Sequence, residues 1–327
     1  MQQRGFGSDG TKVSEVGLGT WQLGGSWSEV DDASAARVLE TAVARGIDFF
    51  DTADVYGDGR SETRIGGFLR AHGARVFVAT KLGRSGNPGW PANFSREVFF
   101  AHAEASRRRL RVDALDLIQM HCLPADLLRA GECFDWLRAM QSEGLVRRWG
   151  ASVETMDEAL TCLAQPGLAA LQIIFNVYRQ KPIDVLFEEA RAKNVALIVR
   201  LPLASGLLSG KFTTRTTFAP DDHRNFNRDG QSFNVGETFA GIPFDKGVEL
   251  TEELKTLVPA DIPLSRLALR WILDHEAVTV VIPGATRPAQ VDANADASET
   301  PTLSAELHAK LRTFYRERVA PHIRGPY

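Results

Sequence analysis

The feature that most constrains this chain is an alternation: eight short apolar runs, each followed by a helical pattern. Apolar runs bounded by turn residues read as buried strands. They are Val16–Thr20, Ile47–Asp51, Val76–Lys81, Leu115–His121, a run ending Trp149–Ser152, Leu171–Phe175, Val195–Arg200 and Val278–Ile282. Strands alternating with helices build a parallel sheet, and right-handed crossovers between neighbours let eight strands close on themselves. The expected class is therefore α/β, a (β/α)8 TIM barrel, with residues 1–327 as a single domain.

The helical patterns carry their own punctuation. Asp31 or Asp32 caps a helix through Ala44, Ser61 caps one that stops near Gly73, and Ser95 opens one through Leu110. Further helices are expected over Phe134–Ser142, Thr155–Leu163, from Pro182, over Leu264–Leu273, and after the eighth strand to Val319. A Ser8-Asp9-Gly10 turn inside Phe6–Val13 predicts a hairpin ahead of the first strand. Phe212–Gly247 departs from the alternation, being polar, rich in Asp, Asn, Thr and Gly, and weakly periodic. A long connection after strand seven, on the carboxyl face, reads as a functional flap.

Charge and cysteine content exclude other classes. With 38 basic against 41 acidic residues and no long run of one sign, no nucleic-acid or membrane footprint stands out. Arg107-Arg108-Arg109-Leu110-Arg111 reads as the solvated end of a helix. Cys122, Cys133 and Cys162 are too few and too scattered for a disulfide framework or a zinc site, so no metal is expected. The amino-terminal residues lack the apolar core of a signal peptide, and no stretch approaches the ~20 apolar residues of a membrane span. A soluble, cytoplasmic protein is expected, of unassigned oligomeric state.

Chemistry is concentrated at one rim. Asp51, Lys81 and His121 each end an expected strand, and Tyr56 follows in a loop on the same side. Taken singly, such an Asp caps a turn, such a Lys is solvated and such a His is a satisfied polar residue. Their joint placement on strands two, three and four points to one pocket.

With those residues in view, the chain resembles an aldo-keto reductase over nearly its whole length. Gly17-Leu18-Gly19-Thr20-Trp21, Asp51…Tyr56, Ala79-Thr80-Lys81, Gln119-Met120-His121, Pro202-Leu203-Ala204-Ser205-Gly206-Leu207-Leu208-Ser209-Gly210-Lys211 and Ile282-Pro283-Gly284-Ala285 follow that family's order. The resemblance implies hydride transfer from a reduced nicotinamide to an aldehyde or ketone. Tyr56 is then the general acid, Lys81 lowers the pKa of its phenol, Asp51 keeps Lys81 charged, and His121 orients the carbonyl as a neutral donor. Trp21, Trp27 and Trp90 become candidate pocket walls, and the implied substrate contacts are Trp21, Tyr56, Trp90 and His121.

The same resemblance places the cofactor, NADPH with NADH as a second possibility. Gly19, Thr20, Trp21 and Asp51 are among the implied cofactor contacts. Ser152 and Gln172 hold the carboxamide, although Val153 stands where many members have Asn. Arg200 replaces a stacking aromatic residue. Leu203, Ser205, Gly206 and Lys211 meet the pyrophosphate. Gly284, Thr286, Arg287, Gln290 and Asn294 meet the adenosine end, with Arg287 as the reader of a 2′-phosphate. Gly284 and Gln290 stand where some relatives have cations, so the NADPH preference is expected to be moderate. No Gly-x-Gly-x-x-Gly fingerprint follows the first strand, in keeping with barrel binding. Two rival readings stand beside this one: a Schiff-base aldolase using Lys81, and a non-catalytic nicotinamide-binding subunit, since some relatives attach to membrane channels.

Overall fold

The computed structural model describes residues 1–25 and 30–327. Trp27, one of the expected pocket walls, lies outside the described residues. An antiparallel hairpin, β1 (Gln3–Gly5) and β2 (Lys12–Ser14), precedes the barrel. Eight parallel strands follow: β3 (Leu18–Gly19), β4 (Phe49–Asp51), β5 (Phe77–Leu82), β6 (Leu117–His121), β7 (Trp149–Ser152), β8 (Ala170–Ile174), β9 (Ala196–Arg200) and β10 (Val278–Val281). Each pairs with its chain neighbour, and parallel bridges Val16–Val281 and Gly19–Gly284 join first to last. Gly17 N–H donates to Val281 O at 2.8 Å across that seam, completing the (β/α)8 barrel.

The outer ring is α1 (Asp32–Ala44), α2 (Arg60–His72), α3 (Arg96–Leu110), α4 (Ala125–Ala130), α5 (Glu132–Ser142), α6 (Met156–Leu163), α7 (Pro182–Val185), α8 (Phe187–Ala192), α9 (His223–Phe226), α10 (Phe244–Leu257), α11 (Leu264–Leu273), α12 (Pro288–Ala295) and α13 (Ala305–Phe314). Asp31, Ser95 and Thr155 cap α1, α3 and α6 with their side chains, and Thr155 completes a capping box with Glu158. Ser61 does not cap α2. That role falls to Gly59 at φ 80°, while Ser61 Oγ is drawn inward, 2.9 Å from Thr20 Oγ1 and accepting from Thr52 Oγ1 at 2.9 Å. None of the described helices is long and apolar enough to cross a membrane.

Period-two alternation along the strands decides what faces inward. Phe49, Phe77, Ala79, Leu117, Ala170, Ala196, Ile198 and Val280 fill the lower barrel interior, and Phe6 of the hairpin plugs it, its ring 4.7 Å from that of Phe77. The intervening residues Phe50, Val78, Ile118, Met120, Ala151, Leu171 and Val199 pack outward under the helices. One or two steps further up the same inward rows stand Asp51, Lys81, Gln119, His121, Gln172 and Arg200. The apolar floor thus gives way to a polar layer at the carboxyl ends of the strands, where barrels of this kind place their sites.

The connection after β9 is more ordered than its composition suggests. Phe212, Phe218, Phe239 and Phe244 stack in one cluster, and α10 begins inside the span expected to be irregular. Arg324 near the carboxyl terminus reaches back to Asp229 Oδ1 at 2.6 Å and to Gly241 O at 3.0 Å.

Candidate active site

A cleft of about 730 Å³ opens at the carboxyl rim. Asp51, Tyr56 and His121 line it, and Lys81 is sealed beneath with 1% of its surface exposed. Lys81 Nζ donates to Asp51 Oδ1 at 2.5 Å, to Thr52 O at 2.8 Å and to Tyr56 Oη at 3.3 Å. All three ammonium hydrogens therefore have acceptors. Asp51 is held from its other oxygen, Oδ2, by Gln172 Nε2 at 2.7 Å and Gln119 Nε2 at 3.4 Å. The His121 ring meets the Tyr56 ring edge-on with centroids 6.0 Å apart. The four rim residues expected to act together do meet.

Their protonation states follow from burial and charge. Burial acts to lower the Lys81 pKa, but Asp51 and then Tyr56 outweigh it and raise it above its ordinary value, so Lys81 is an ammonium. Burial, then Arg84, Lys81 and Arg200, hold His121 well below its usual value, so the ring is neutral. Burial raises the Tyr56 phenol, and Lys81 offsets only part of that. The expected lowering by Lys81 is present, but burial outweighs it, so the phenol is protonated.

The other expected contacts divide. Gly19, Thr20, Trp21, Gln172, Arg200, Leu203, Ser205, Gly206, Lys211, Gly284, Thr286, Arg287 and Gln290 all line the cleft. Trp90 does not: it is 53% exposed, with its indole N–H on Gly83 O at 2.8 Å. Ser152 is buried behind the wall, its Oγ 3.6 Å from Cys122 Sγ, and Asn294 turns its amide to Gly284 O at 3.4 Å. Ser205 Oγ accepts from Phe239 N–H at 3.1 Å, so its hydroxyl ties the long loop down. Arg200 Nη2 donates to Val153 O at 3.2 Å and Cys122 Sγ at 3.4 Å, while its Nε is buried without a partner.

Several lining residues escaped the sequence reading. Phe233 is one: its ring is tilted against that of the expected wall Trp21 with centroids 6.4 Å apart, and Trp21 in turn stacks on Tyr56 at 5.8 Å. Arg84 and Glu237 meet at 3.1 Å on one wall. Arg84 lies three residues past Lys81 on the same rim, a position that could have marked it. Glu237 and Phe233 sit in the long polar loop, where no local pattern points inward.

The Aldo/keto reductase family matches residues 15–316. The chain belongs to that family. An aldo-keto reductase of Bacillus subtilis is 27% identical, with 100% of this chain and 97% of the relative covered. A protein of Arabidopsis thaliana described as a "probable voltage-gated potassium channel subunit beta" is 26% identical, with 90% of each covered. Among solved structures, the holo form of an aldo-keto reductase from Bacillus halodurans superposes with a TM-score of 0.78, at 26% identity and 96% coverage of each chain. A glycerol dehydrogenase from Gluconobacter oxydans gives 0.75 at 27% identity, covering 99% of this chain and 97% of its own. The family is one of oxidoreductases that reduce carbonyl groups, and the polar rim at the barrel mouth is the part of the fold suited to that work.

Proposed function

We propose that this protein reduces an aldehyde or ketone to the alcohol with NADPH, and that Tyr56 is the general acid. The observation that carries the proposal is the Lys81 ammonium, which touches both the Asp51 carboxylate and the Tyr56 hydroxyl in a cleft. Tyr56 gives its proton to the carbonyl oxygen as negative charge grows there. Neutral His121 supplies a second hydrogen bond that aims the same oxygen. Lys81 limits the cost of leaving a phenolate behind, and Asp51, anchored by Gln172, keeps Lys81 in place. When bound, a reduced nicotinamide supplies the hydride that the carbonyl carbon accepts.

The lining fits such a cofactor. At Gly19 an added Cβ would come within 2.8 Å of Ile282 O, so glycine there lets the first and last strands close up beneath the cleft, whereas at Gly284 it would meet only the side-chain end of Gln22 at 2.3 Å. The Arg200 guanidinium lines the cleft and offers a planar face on which a ring can stack. Lys211 and Arg287 line the cleft and form no ion pair among the described residues, as phosphate-facing cations should.

The rivals fare worse. Lys81 as a Schiff-base nucleophile would have to shed a proton and three acceptors, against a raised pKa. The similarity to a potassium channel subunit leaves room for a cofactor-binding regulatory role. That role does not require the Tyr56, Lys81 and Asp51 contacts that are present here. The deciding experiment follows NADPH oxidation across a panel of aldehydes and ketones, with Tyr56→Phe beside the wild type. Loss of ~10²–10⁴-fold in turnover with near-normal NADPH affinity is expected. Binding of NADPH with no turnover of any carbonyl would favour the regulatory role.

A further inference from the structure

The wall beside His121 holds more positive charge than its partners cancel. Arg84 Nη2 donates to Glu154 Oε1 at 2.9 Å and to Glu237 Oε1 at 3.1 Å. Arg200 lies 3.6 Å from Glu237, and Arg179 Nη2 donates to the backbone carbonyl of Glu154 at 3.1 Å. Arg84 and Arg200 thus pair with the two carboxylates while Arg179, held only by a backbone carbonyl, stands beside them, which leaves the group of three guanidiniums and two carboxylates one positive charge in excess. Burial and the neighbouring Glu237 raise the Glu154 pKa, which pushes the balance further toward positive. Donors outnumber acceptors as well, for Arg179 Nη1 and Arg200 Nε are buried without partners among the described residues.

Arg84 and Arg200 both line the cleft, and Arg84 is the one that also borders the Phe233 ring. It lines the cleft with Tyr56 and His121, and both its protein hydrogen bonds come from Nη2. Among the described residues its Nε and Nη1 have no hydrogen-bond partner, and neither is sealed from solvent. Its guanidinium also lies 5.9 Å from the Phe233 ring, which with Trp21 forms the apolar part of the same wall. A cation site is the wrong reading of this cluster. The Cys122, Glu154 and Glu237 ligand atoms fall within 4.8 Å of one another, but guanidinium groups already engage both carboxylates and burial keeps the Cys122 thiol protonated.

We propose that the carbonyl substrate is an oxo acid, a short aldehyde or ketone bearing a carboxylate, and that the open edge of Arg84 receives that carboxylate. The proposal rests on the reductase reading. In that reading the cofactor phosphates fall to Lys211 and Arg287, and the reduced nicotinamide brings no negative charge to the Arg84 wall. A planar guanidinium edge with two unused donors matches a carboxylate, and the apolar Trp21 and Phe233 faces suit the short carbon chain between the two groups.

The test compares size-matched substrates that differ by one carboxylate: 4-oxobutanoate against butanal, and pyruvate against acetone, each with NADPH. Wild type should favour the acid by about tenfold or more in kcat/KM, the scale of one charge-assisted contact. Arg84→Gln should cut that ratio about tenfold, and Glu154→Gln at pH 8 should raise it, because it removes a competing negative charge. A second arm reads binding alone, titrating 4-hydroxybutyrate and 1-butanol into the protein–NADP+ complex by calorimetry. There Arg84→Gln should weaken the acid selectively and Glu154→Gln strengthen it. Equal kcat/KM for acid and neutral partner in wild type overturns the proposal, as does an acid-to-neutral ratio that neither variant moves. Absence of turnover with every carbonyl would count against the reductase reading, while the binding arm would still decide the role of Arg84. If Arg84→Gln fails to fold, the direction of the Glu154→Gln shift decides.

Discussion

Lys81 Nζ stands 2.5 Å from Asp51 Oδ1 with both side chains sealed from solvent. A buried pair of this kind is costly to break from one side, because the remaining charge loses its partner while staying dry. Lys81→Met should therefore lower stability by about 3–5 kcal/mol as well as abolish turnover. The double variant Lys81→Met/Asp51→Asn removes both charges and should recover much of that stability without recovering activity. Chemical denaturation of the single and double variants measures this. A double variant as unstable as the single one would mean that packing, not charge, sets the cost.

Asp54 offers a second test of buried charge. Both of its carboxylate oxygens are buried without hydrogen-bond partners among the described residues, and His102 Nδ1 is 3.9 Å away. Burial and then Glu62 raise its pKa to about 7, against the opposing pull of Arg109 and Lys81. The folded carboxyl thus keeps its proton up to about pH 7, whereas the unfolded one releases it near ~3.9. Stability contributed by this group is accordingly lost as pH rises from about 4 to about 7. Asp54→Asn should stabilise the protein at pH 8 by about 1–3 kcal/mol, and by less at pH 5. Equal effects at both pH values would show that the carboxyl is not protonated in the fold.

The loop after β9 should respond to cofactor. It is held by Glu237 on Arg84 and by Asp229 on Arg324, and it carries Phe233 and Glu237 into the cleft. Limited proteolysis is expected to cut within Phe212–Gly247 first, and NADPH to slow that cutting several-fold, since loops that close over ligands are drawn from the least stable segments. Identical digestion rates with and without NADPH would remove the case for a flap.

Much of this site was legible in the sequence because the strands switch from apolar to polar at their carboxyl ends. Period-two alternation then fixes that Asp51, Lys81, His121 and Gln172 share the inward side. The Arg84–Glu237 contact was not legible, since its partners are 153 residues apart and one sits in a loop without periodicity. Nor was the sign of the Tyr56 shift, which depends on how completely the cleft excludes water. Helix α10 was hidden by Gly247 and by its acidic outer face, although Phe244, Val248, Thr251 and Leu254 form a buried stripe. Trp90 misled for the opposite reason: an aromatic residue near the rim suggests a wall, but its indole is spent on Gly83 O.

The reductase reading predicts that the cofactor preference turns on Arg287. It caps α12 without a side-chain hydrogen bond and lines the cleft beside Thr286 and Gln290. Gln290 Oε1 already accepts from Thr286 N–H at 2.9 Å and lies 3.0 Å from Thr286 Oγ1, so both polar groups are committed to shaping the turn. Arg287 is left as the planar cation of this segment, at the start of a helix whose orientation also favours an anion. A charge-assisted contact to a 2′-phosphate contributes ~1.5–3 kcal/mol, roughly 10- to 150-fold in affinity. NADPH should thus bind more tightly than NADH, and Arg287→Ala should bring the two close together by weakening NADPH alone. Titration of both cofactors against wild type and variant measures the ratio. If the ratio is the same in both proteins, another residue reads the phosphate.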